Sequence, residues 1–272
     1  MGLPNPSPAT AALVTGASSG IGSELAYELA RRGHQVILVA RHTDQLELVA
    51  STITQRGGRA HIIACDLTDR AERRHLTARV ADLGLTVTVL VNNAGMSTLA
   101  AVADADLDAE LAVVELDVAA VVDLCVTFLS PMVAHGAGAV LNVASTGAFQ
   151  PLPGQASYGA AKAFVLSYTQ SLVGELDGTG VTATVLCPGP VDTGFGEKAG
   201  FTKSDAEAAL PAVMWKSPEY VAVTAIDALD KGRPVVIPGR ANQVARRLGA
   251  LVPRTLLTRA LASQSPALRG RR

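Results

Sequence analysis

The hydrophobic residues form short, continuous aliphatic runs, and these alternate with longer stretches in which apolar residues recur at helical spacing. Continuous Val, Ile and Leu runs predict strands buried on both faces, and the helical spacing predicts the helices that cover them. The predicted strands are Ala11–Thr15, Val36–Ala40, Ala60–Cys65, Val87–Val91, Ala139–Ala144, Val181–Cys187 and Val235–Ile237. The predicted helices are Ile21–Arg32, Thr43–Arg56, Arg70–Asp82, Asp106–Ala134, Tyr158–Leu176 and Pro218–Leu229.

Strands that alternate with helices predict an α/β protein with a single doubly wound, Rossmann-type parallel sheet of about seven strands and helices on both faces. The 272 residues are 49% hydrophobic and only 4% aromatic, so the core must be large and aliphatic. We expect one domain over residues 1–238, with a substrate lid at about 190–216. Ligands bind beyond the carboxyl ends of the strands in such a sheet, so functional residues should follow the strands.

The bulk composition excludes several classes of protein. Cys65, Cys125 and Cys187 are widely spaced, which favours core residues in a reducing compartment and no metal site. The apolar stretch 111–144 contains three acidic residues and therefore does not predict a membrane span. Because no secretory signal opens the chain, we expect a cytoplasmic protein.

The net charge of −1 hides two parts of opposite charge. All 24 acidic residues and 13 basic residues precede Lys231, whereas 10 basic residues and no acidic residue follow Asp230. An acidic body argues against binding of nucleic acid. The segment 239–272 predicts two basic amphipathic helices that are separated at Pro253. This C-terminal extension could contact a membrane peripherally, or fold onto its own body or a neighbouring subunit.

A glycine-rich loop lies between the first predicted strand and the first predicted helix. Thr15–Gly22 reads TGASSGIG, and glycines there let the backbone approach a diphosphate closely at a helix N-terminus. The candidate residues for binding a dinucleotide in this loop are Gly16, Ser18, Ser19, Gly20, Ile21 and Gly22.

The end of the second strand indicates which dinucleotide is bound. An acidic residue often ends this strand and binds a ribose 2′-hydroxyl, but here Arg41 stands beside that place. A guanidinium can bind a 2′-phosphate through charge-assisted hydrogen bonds, so we predict NADP rather than NAD. Further candidates follow the third and fourth strands: Asp66 and Leu67 near the adenine, and Asn93, Ala94 and Gly95 near the adenosine ribose.

Tyr158 and Lys162 stand four residues apart on a predicted helix and therefore lie on the same face. An ammonium beside a phenol stabilises the phenolate, so we expect the pKa of Tyr158 to be lowered. Ser145 closes the preceding strand, and its hydroxyl could hold a substrate oxygen.

The chain resembles the short-chain dehydrogenase/reductase family over about Ala11–Ile237. The resemblance rests on five features together: TGASSGIG, NNAG at Asn92–Gly95, Ser145, YxxxK and Pro188-Gly-Pro. The resemblance implies an NADP-dependent oxidoreductase in which Tyr158 is the acid/base and Ser145 orients the substrate. It implies that Lys162 binds the nicotinamide ribose and lowers the phenol pKa. It also implies a homodimer or homotetramer. The residues that it assigns to the nicotinamide side are Pro188, Gly189, Val191 and Thr193.

This sequence departs from the family pattern at one catalytic position. An Asn usually lies some two dozen residues after NNAG, and Asp117 occupies that place. Its carboxylate keeps acceptor oxygens, loses the amide donor and favours the Lys162 ammonium. We interpret Asp117 as part of a modified proton relay rather than as a sign of an inactive protein.

The segments that should flank the substrate are mostly apolar. They contain no arginine cluster for a phosphate or carboxylate, so a hydrophobic carbonyl compound or secondary alcohol fits best. Their larger apolar residues are Phe149, Leu152, Phe195, Phe201, Leu210, Met214 and Trp215. Glu197, Lys198 and Lys203 suggest a solvated lid. The alternative is a non-catalytic nucleotide-binding protein, or a membrane- or partner-docking protein, on the same fold.

Overall fold

The computed structural model describes residues 2–202 and 210–268, and in them seven parallel strands form one sheet. The strand order is β3-β2-β1-β4-β5-β6-β7, so the direction of winding reverses between β1 and β4. The strands are β1 (Thr10–Thr15), β2 (Gln35–Ala40), β3 (Ala60–Ala64), β4 (Thr86–Asn92), β5 (Gly138–Val143), β6 (Val181–Leu186) and β7 (Val235–Val236). The predicted doubly wound sheet is confirmed, and its reversal opens a crevice beyond the carboxyl ends of β1 and β4.

Helices cover both faces of the sheet. They are α1 (Gly20–Arg31), α2 (Thr43–Gln55), α3 (Arg70–Asp82), α4 (Leu107–Val114), α5 (Ala120–His135), α6 (Ala156–Glu175), α7 (Phe195–Lys198), α8 (Pro218–Asp230), α9 (Arg240–Gly249) and α10 (Arg254–Gln264). One aliphatic core lies under α3, α5 and α6, and a second lies under α1, α2 and α8. Lys203 and the rest of 203–209, which the predicted lid includes, lie outside the described residues.

The predicted helix Asp106–Ala134 contains a feature that the sequence does not indicate. A π turn at Glu115–Ala119 joins α4 to α5. The buried guanidinium of Arg73 forms ion pairs with Glu115 and with Asp123, 3.0 Å away, on either side of Asp117. π turns within helices often occur at functional sites. Here the turn belongs to the segment that carries Asp117, which is completely buried.

The C-terminal extension forms the two predicted helices, α9 and α10, with Pro253 between them. It lies against the chain's own body: the guanidinium of Arg246 is 4.8 Å from the ring centroid of Phe149. The buried Ser265 packs so closely that a Cβ on Gly154 would lie 2.5 Å from its hydroxyl oxygen. The extension therefore borders the segment that follows Ser145.

The described residues contain neither a membrane-spanning helix nor a cluster of potential metal ligands. No helix there is long and apolar enough to cross a membrane. In the same ranges, no group of three or more His, Cys, Asp or Glu residues could hold a metal ion. The three cysteines are buried and unpaired, and burial raises the pKa of Cys65 to about 11. They are core residues, as the sequence predicts.

Candidate functional site

The glycine-rich loop leaves β1 at Thr15 and enters α1 at Gly20. Gly16 and Gly20 both have φ of 62°, a conformation that favours glycine. A Cβ on Gly22 would lie 2.2 Å from the carbonyl oxygen of Gly16. Ser19 forms no side-chain cap, so the first N–H groups of α1 remain available to an anion. The loop therefore has the backbone approach and the donors that a diphosphate requires.

The NNAG segment holds this loop in place. The hydroxyl of Thr15 accepts hydrogen bonds from the backbone N–H groups of Asn93, at 2.9 Å, and Ala94, at 3.0 Å. The side-chain amide of Asn93 donates to the carbonyl of Thr15 at 2.9 Å. The side chain of Asn93 is thus engaged with the loop itself. Its neighbour Asn92 is buried and donates a hydrogen bond to the side chain of Asn142, so it stabilises the core rather than the loop.

Arg41 and Asp66 lie beyond the ends of β2 and β3, on the same side of the crevice. Thr68 donates to Asp66 from its N–H, at 2.9 Å, and its hydroxyl, at 2.7 Å. Burial would raise the pKa of Asp66, but these hydrogen bonds and the nearby Arg41 hold that pKa below its usual value. The side chain of Arg41 is exposed. In contrast, the side chain of Leu67 is buried in the core.

Lys162 lies at the centre of the candidate catalytic group. Its Nζ is 5.6 Å from the ring centroid of Tyr158 and 2.9 Å from Oδ2 of Asp117. It also donates to the carbonyl of Val143 at 3.1 Å. Asp117 accepts a hydrogen bond from the N–H of Met96 at 2.9 Å, which fixes the carboxylate. Burial would lower the pKa of Lys162, but the negative charge of Asp117 raises it.

Gly95 packs against the ion pair between Asp117 and Lys162, and this contact, rather than a backbone turn, requires a glycine there. A Cβ at this position would lie 3.1 Å from both Oδ2 of Asp117 and Nζ of Lys162. A larger side chain would therefore press on the pair. The sequence places Gly95 in the cofactor set, and the structure adds this second constraint.

Ser145 and Phe195 complete the surroundings of Tyr158. The hydroxyl of Ser145 accepts a hydrogen bond from the N–H of Gly147 at 3.0 Å, and a side-chain hydrogen bond links it to Tyr158. The rings of Tyr158 and Phe195 have centroids 5.8 Å apart. The predicted lid therefore contacts the candidate acid/base through Phe195.

The expected net shift of the Tyr158 pKa is wrong. Burial raises this pKa, and the charge of Asp117 also raises it, whereas Lys162 and the hydrogen bond with Ser145 lower it. The lysine acts in the expected direction, but burial has the larger effect. A raised pKa favours the protonated phenol, the form that can donate a proton.

The segment after β6 meets the glycine-rich loop. The carbonyl of Pro188 accepts a hydrogen bond from the N–H of Thr146 at 2.9 Å. A Cβ on Gly20 would lie 3.0 Å from the side chain of Thr193. Val191 is partly buried and pairs with Lys216 in an isolated parallel bridge. The structure thus brings the residues assigned to the two ends of the dinucleotide to one crevice.

Asn242 is a buried contact of this site that the sequence does not reveal. A Cβ on Gly189 would lie 2.5 Å from its Oδ1. Its amide donates to the carbonyl of Met214 at 3.0 Å and to that of Pro238 at 2.9 Å. Asn242 belongs to the C-terminal extension, outside the family pattern, so no motif indicates its role.

The remaining apolar residues of the predicted substrate lining are distributed unevenly. Leu152 packs over Gly147 and Gly159, and the ring N–H of Trp215 donates to the carbonyl of Leu210 at 3.4 Å. A cavity of about 350 Å³ between Phe149 and the C-terminal extension is lined by Arg246 and Arg254 as well as apolar residues. The sequence predicts a substrate lining without an arginine cluster because that prediction considers only the segments after Ser145 and after β6. The two arginines of this cavity come from the C-terminal extension.

The comparisons with known proteins agree with this geometry. The family model described as short chain dehydrogenase matches residues 10–203. A short chain dehydrogenase of Pseudocercospora fijiensis is 36% identical over 188 residues, which are 68% of this chain and 60% of that protein. A putative ketoacyl reductase of Streptomyces coelicolor is 37% identical over 184 residues, which are 67% of this chain and 70% of that protein.

A solved structure extends the likeness beyond the residues matched by sequence. The short-chain dehydrogenase from Sphingobium yanoikuyae in complex with NADPH has a TM-score of 0.78 and 30% identity. The alignment covers 93% of this chain and 95% of that one. With a family model over most of the chain and relatives above 30% identity, the chain belongs to the short-chain dehydrogenase/reductase family, a family of oxidoreductases.

Proposed function

We propose that this protein is an NADP(H)-dependent oxidoreductase that interconverts the carbonyl and secondary alcohol forms of a hydrophobic small molecule. The observation that carries the proposal is the placement of Tyr158, hydrogen-bonded with Ser145, beside the buried Lys162, whose Nζ lies 5.6 Å from the Tyr158 ring centroid. No observation favours the alternative of a non-catalytic protein, because the Ser, Tyr and Lys positions are all occupied.

The crevice fits a dinucleotide. Gly16, Gly20 and Gly22 leave the space that side chains would fill, and α1 directs free N–H groups at it. Pro188, Gly189, Val191 and Thr193 would line the nicotinamide end. When bound, NADPH supplies the hydride equivalent for reduction.

The chain's own groups would hold the substrate and move the proton. Ser145 would hold the substrate oxygen by a hydrogen bond, and the Tyr158 hydroxyl would donate its proton to that oxygen during reduction. The Lys162 ammonium would stabilise the phenolate that forms. Asp117 keeps this lysine charged through the 2.9 Å ion pair. Phe195 would help to exclude water from Tyr158.

A panel of hydrophobic ketones and aldehydes tests the reaction class directly. NADPH consumption would be followed optically with each compound and with a matched set of small hydrophilic carbonyl compounds. We expect turnover with members of the hydrophobic set. Turnover confined to the hydrophilic set would contradict the proposed substrate class, and absence of turnover with both would contradict the proposed reaction.

The proposed preference for NADPH depends on Arg41. Replacing Arg41 by Ala should lower kcat/KM for NADPH by about 10- to 100-fold, because charge-assisted contacts to a phosphate are worth roughly 1.5–3 kcal/mol. The value for NADH should change little, since NADH has no 2′-phosphate. Arg59→Ala is the matched control, because Arg59 is exposed and precedes the amino end of β3. Equal losses with both cofactors would contradict a specific role for Arg41.

We also propose that the protein is a homodimer or homotetramer. Exposed apolar side chains on α4, α5 and α6 support this assignment: Leu107, Leu111, Val114, Val126 and Phe164. Light scattering after size-exclusion chromatography should give a mass of two or four chains, and Val126→Glu should shift it towards one. A monomeric mass for the unsubstituted protein would contradict the assignment.

A further inference from the structure

The C-terminal extension turns an apolar stripe towards solvent. Arg240, Val244, Arg247 and Leu248 share one face of α9 by their spacing, and Leu251 follows in the turn after the helix. Val244, Leu248 and Leu251 are 51%, 59% and 80% exposed. We call these five residues the tail surface. The opposite side of α9 carries the buried Asn242, so the apolar stripe does not serve the core of this chain.

Within the described part of the chain, the arginines of the tail surface form no ion pair with an acidic residue. Among residues 2–202 and 210–268, every ion pair within 4.0 Å joins two residues that precede Lys231. No acidic residue follows Asp230 in the sequence. Although the extension lies against an acidic body, the described residues of that body form no ion pair with Arg240 or Arg247.

A second tail surface is a poor occupant of this stripe. A twofold contact would bring the same residues of both copies together, so Arg240 and Arg247 of each copy would meet like charges. The extension contains no acidic side chain that could relieve this repulsion. The stripe requires an occupant that is apolar and negatively charged over the same area.

We propose that the tail surface docks onto an anionic lipid bilayer. Basic and aliphatic side chains that alternate on a short exposed helix match the interface of such a bilayer. Val244, Leu248 and Leu251 would enter the boundary between headgroups and acyl chains, while Arg240 and Arg247 would bind lipid phosphates and carboxylates. This mode of binding lies on the surface and does not require a spanning helix. It is independent of the proposed reaction.

Vesicle co-sedimentation of the full-length protein tests the proposal. We expect binding to vesicles of phosphatidylcholine with phosphatidylserine, weakening with added salt, and little binding to phosphatidylcholine alone. Arg240→Glu with Arg247→Glu should weaken binding at least about tenfold, because each basic residue near an anionic surface contributes about 1 kcal/mol. Leu248→Ser with Leu251→Ser should also weaken it.

Charge reversal of the body gives the matched control. Arg59→Glu with Arg74→Glu changes two exposed arginines by the same charge and should leave vesicle binding within about twofold. Point substitutions are preferable to removal of the extension, which would also remove Asn242 from Gly189. Circular dichroism and oxidoreductase activity should be unchanged in the tail variants, which separates a failure of docking from a failure of folding or reaction.

Three results would overturn the proposal. The first is no binding of the unsubstituted protein to anionic vesicles. The second is that the charge-reversal variants of the tail and of the body bind anionic vesicles equally. This result would show only a nonspecific response to total charge. The third is that the tail variants form smaller oligomers while their binding to vesicles is unchanged. This result would make the tail surface a contact between subunits.

Discussion

Replacing Tyr158 by Phe should lower turnover by about 10²- to 10⁴-fold, the usual contribution of a positioned proton donor. The substitution removes the hydroxyl and keeps the ring, so the packing against Phe195 at 5.8 Å should survive. The hydrogen bond with Ser145 and the proton that it directs towards the substrate are lost. NADPH binding, measured by fluorescence titration, should change by no more than a few fold.

Tyr168→Phe provides the matched control for this experiment. Tyr168 lies on the same helix, α6, but stacks with Phe164 at 5.6 Å. It should therefore retain nearly full turnover. Full activity of Tyr158→Phe would exclude Tyr158 as the proton donor. Equal loss in both variants would instead indicate a disturbed helix.

Much of the candidate site could be predicted because the relevant constraints are local. Residues at the carboxyl ends of parallel strands share one edge, which places Gly16, Asn93 and Ser145 together once the strands are recognised. The spacing of Tyr158 and Lys162 puts them on one face of any helix. These relations depend on backbone geometry over a few residues, so short sequence motifs are enough to predict them.

Properties that depend on distant packing could not be predicted in the same way. The pKa of Tyr158 is raised because the assembled fold buries the phenol, and the local Lys162 effect alone gave the wrong net direction. The contact between Asn242 and Gly189 joins segments more than fifty residues apart, and no periodicity encodes it. The cavity contribution of Arg246 likewise appears only when the extension folds back on the body.

Replacing Asp117 by Ala should lower the free energy of unfolding by about 3–5 kcal/mol, because it leaves a buried charge without its partner. The carboxylate is fully buried, 2.9 Å from Nζ of Lys162, and also accepts the Met96 N–H. Burial would lower the pKa of Lys162, but Asp117 raises it, so this stabilisation is present below the unfolded lysine pKa of about 10.4. It is lost as the pH rises through the folded pKa, so denaturant unfolding should be compared at neutral and alkaline pH. In acid the stabilisation ends where Asp117, whose pKa is raised by burial, becomes protonated.

Asp117→Asn is the conservative variant that separates shape from charge. Met96 and Lys162 contact different oxygens of the carboxylate, so the single amide oxygen of Asn can still accept a hydrogen bond from one of them. Activity should therefore be unchanged or higher, and the loss of stability should be smaller than for Ala. The charge of Asp117 raises the pKa of Tyr158, and removing that charge should lower it. Because alcohol oxidation needs the ionised phenol, its pH–rate profile should shift towards lower pH. In the reductive direction, activity should begin to fall at a lower pH than in the unsubstituted protein.

The two directions of reaction distinguish a charge effect from a structural one. A merely structural role of Asp117 would lower both rates without moving either pH profile. A severe loss of activity in a folded Asp117→Asn protein would mean that the carboxylate has a role of its own, such as accepting a proton from Lys162. Opposite changes on the alkaline side, with reduction losing and oxidation gaining, would instead show that the charge of Asp117 adds to the effect of burial in raising the pKa of Tyr158. We expect this second result, because the carboxylate acts on the phenol only through its field and through Lys162.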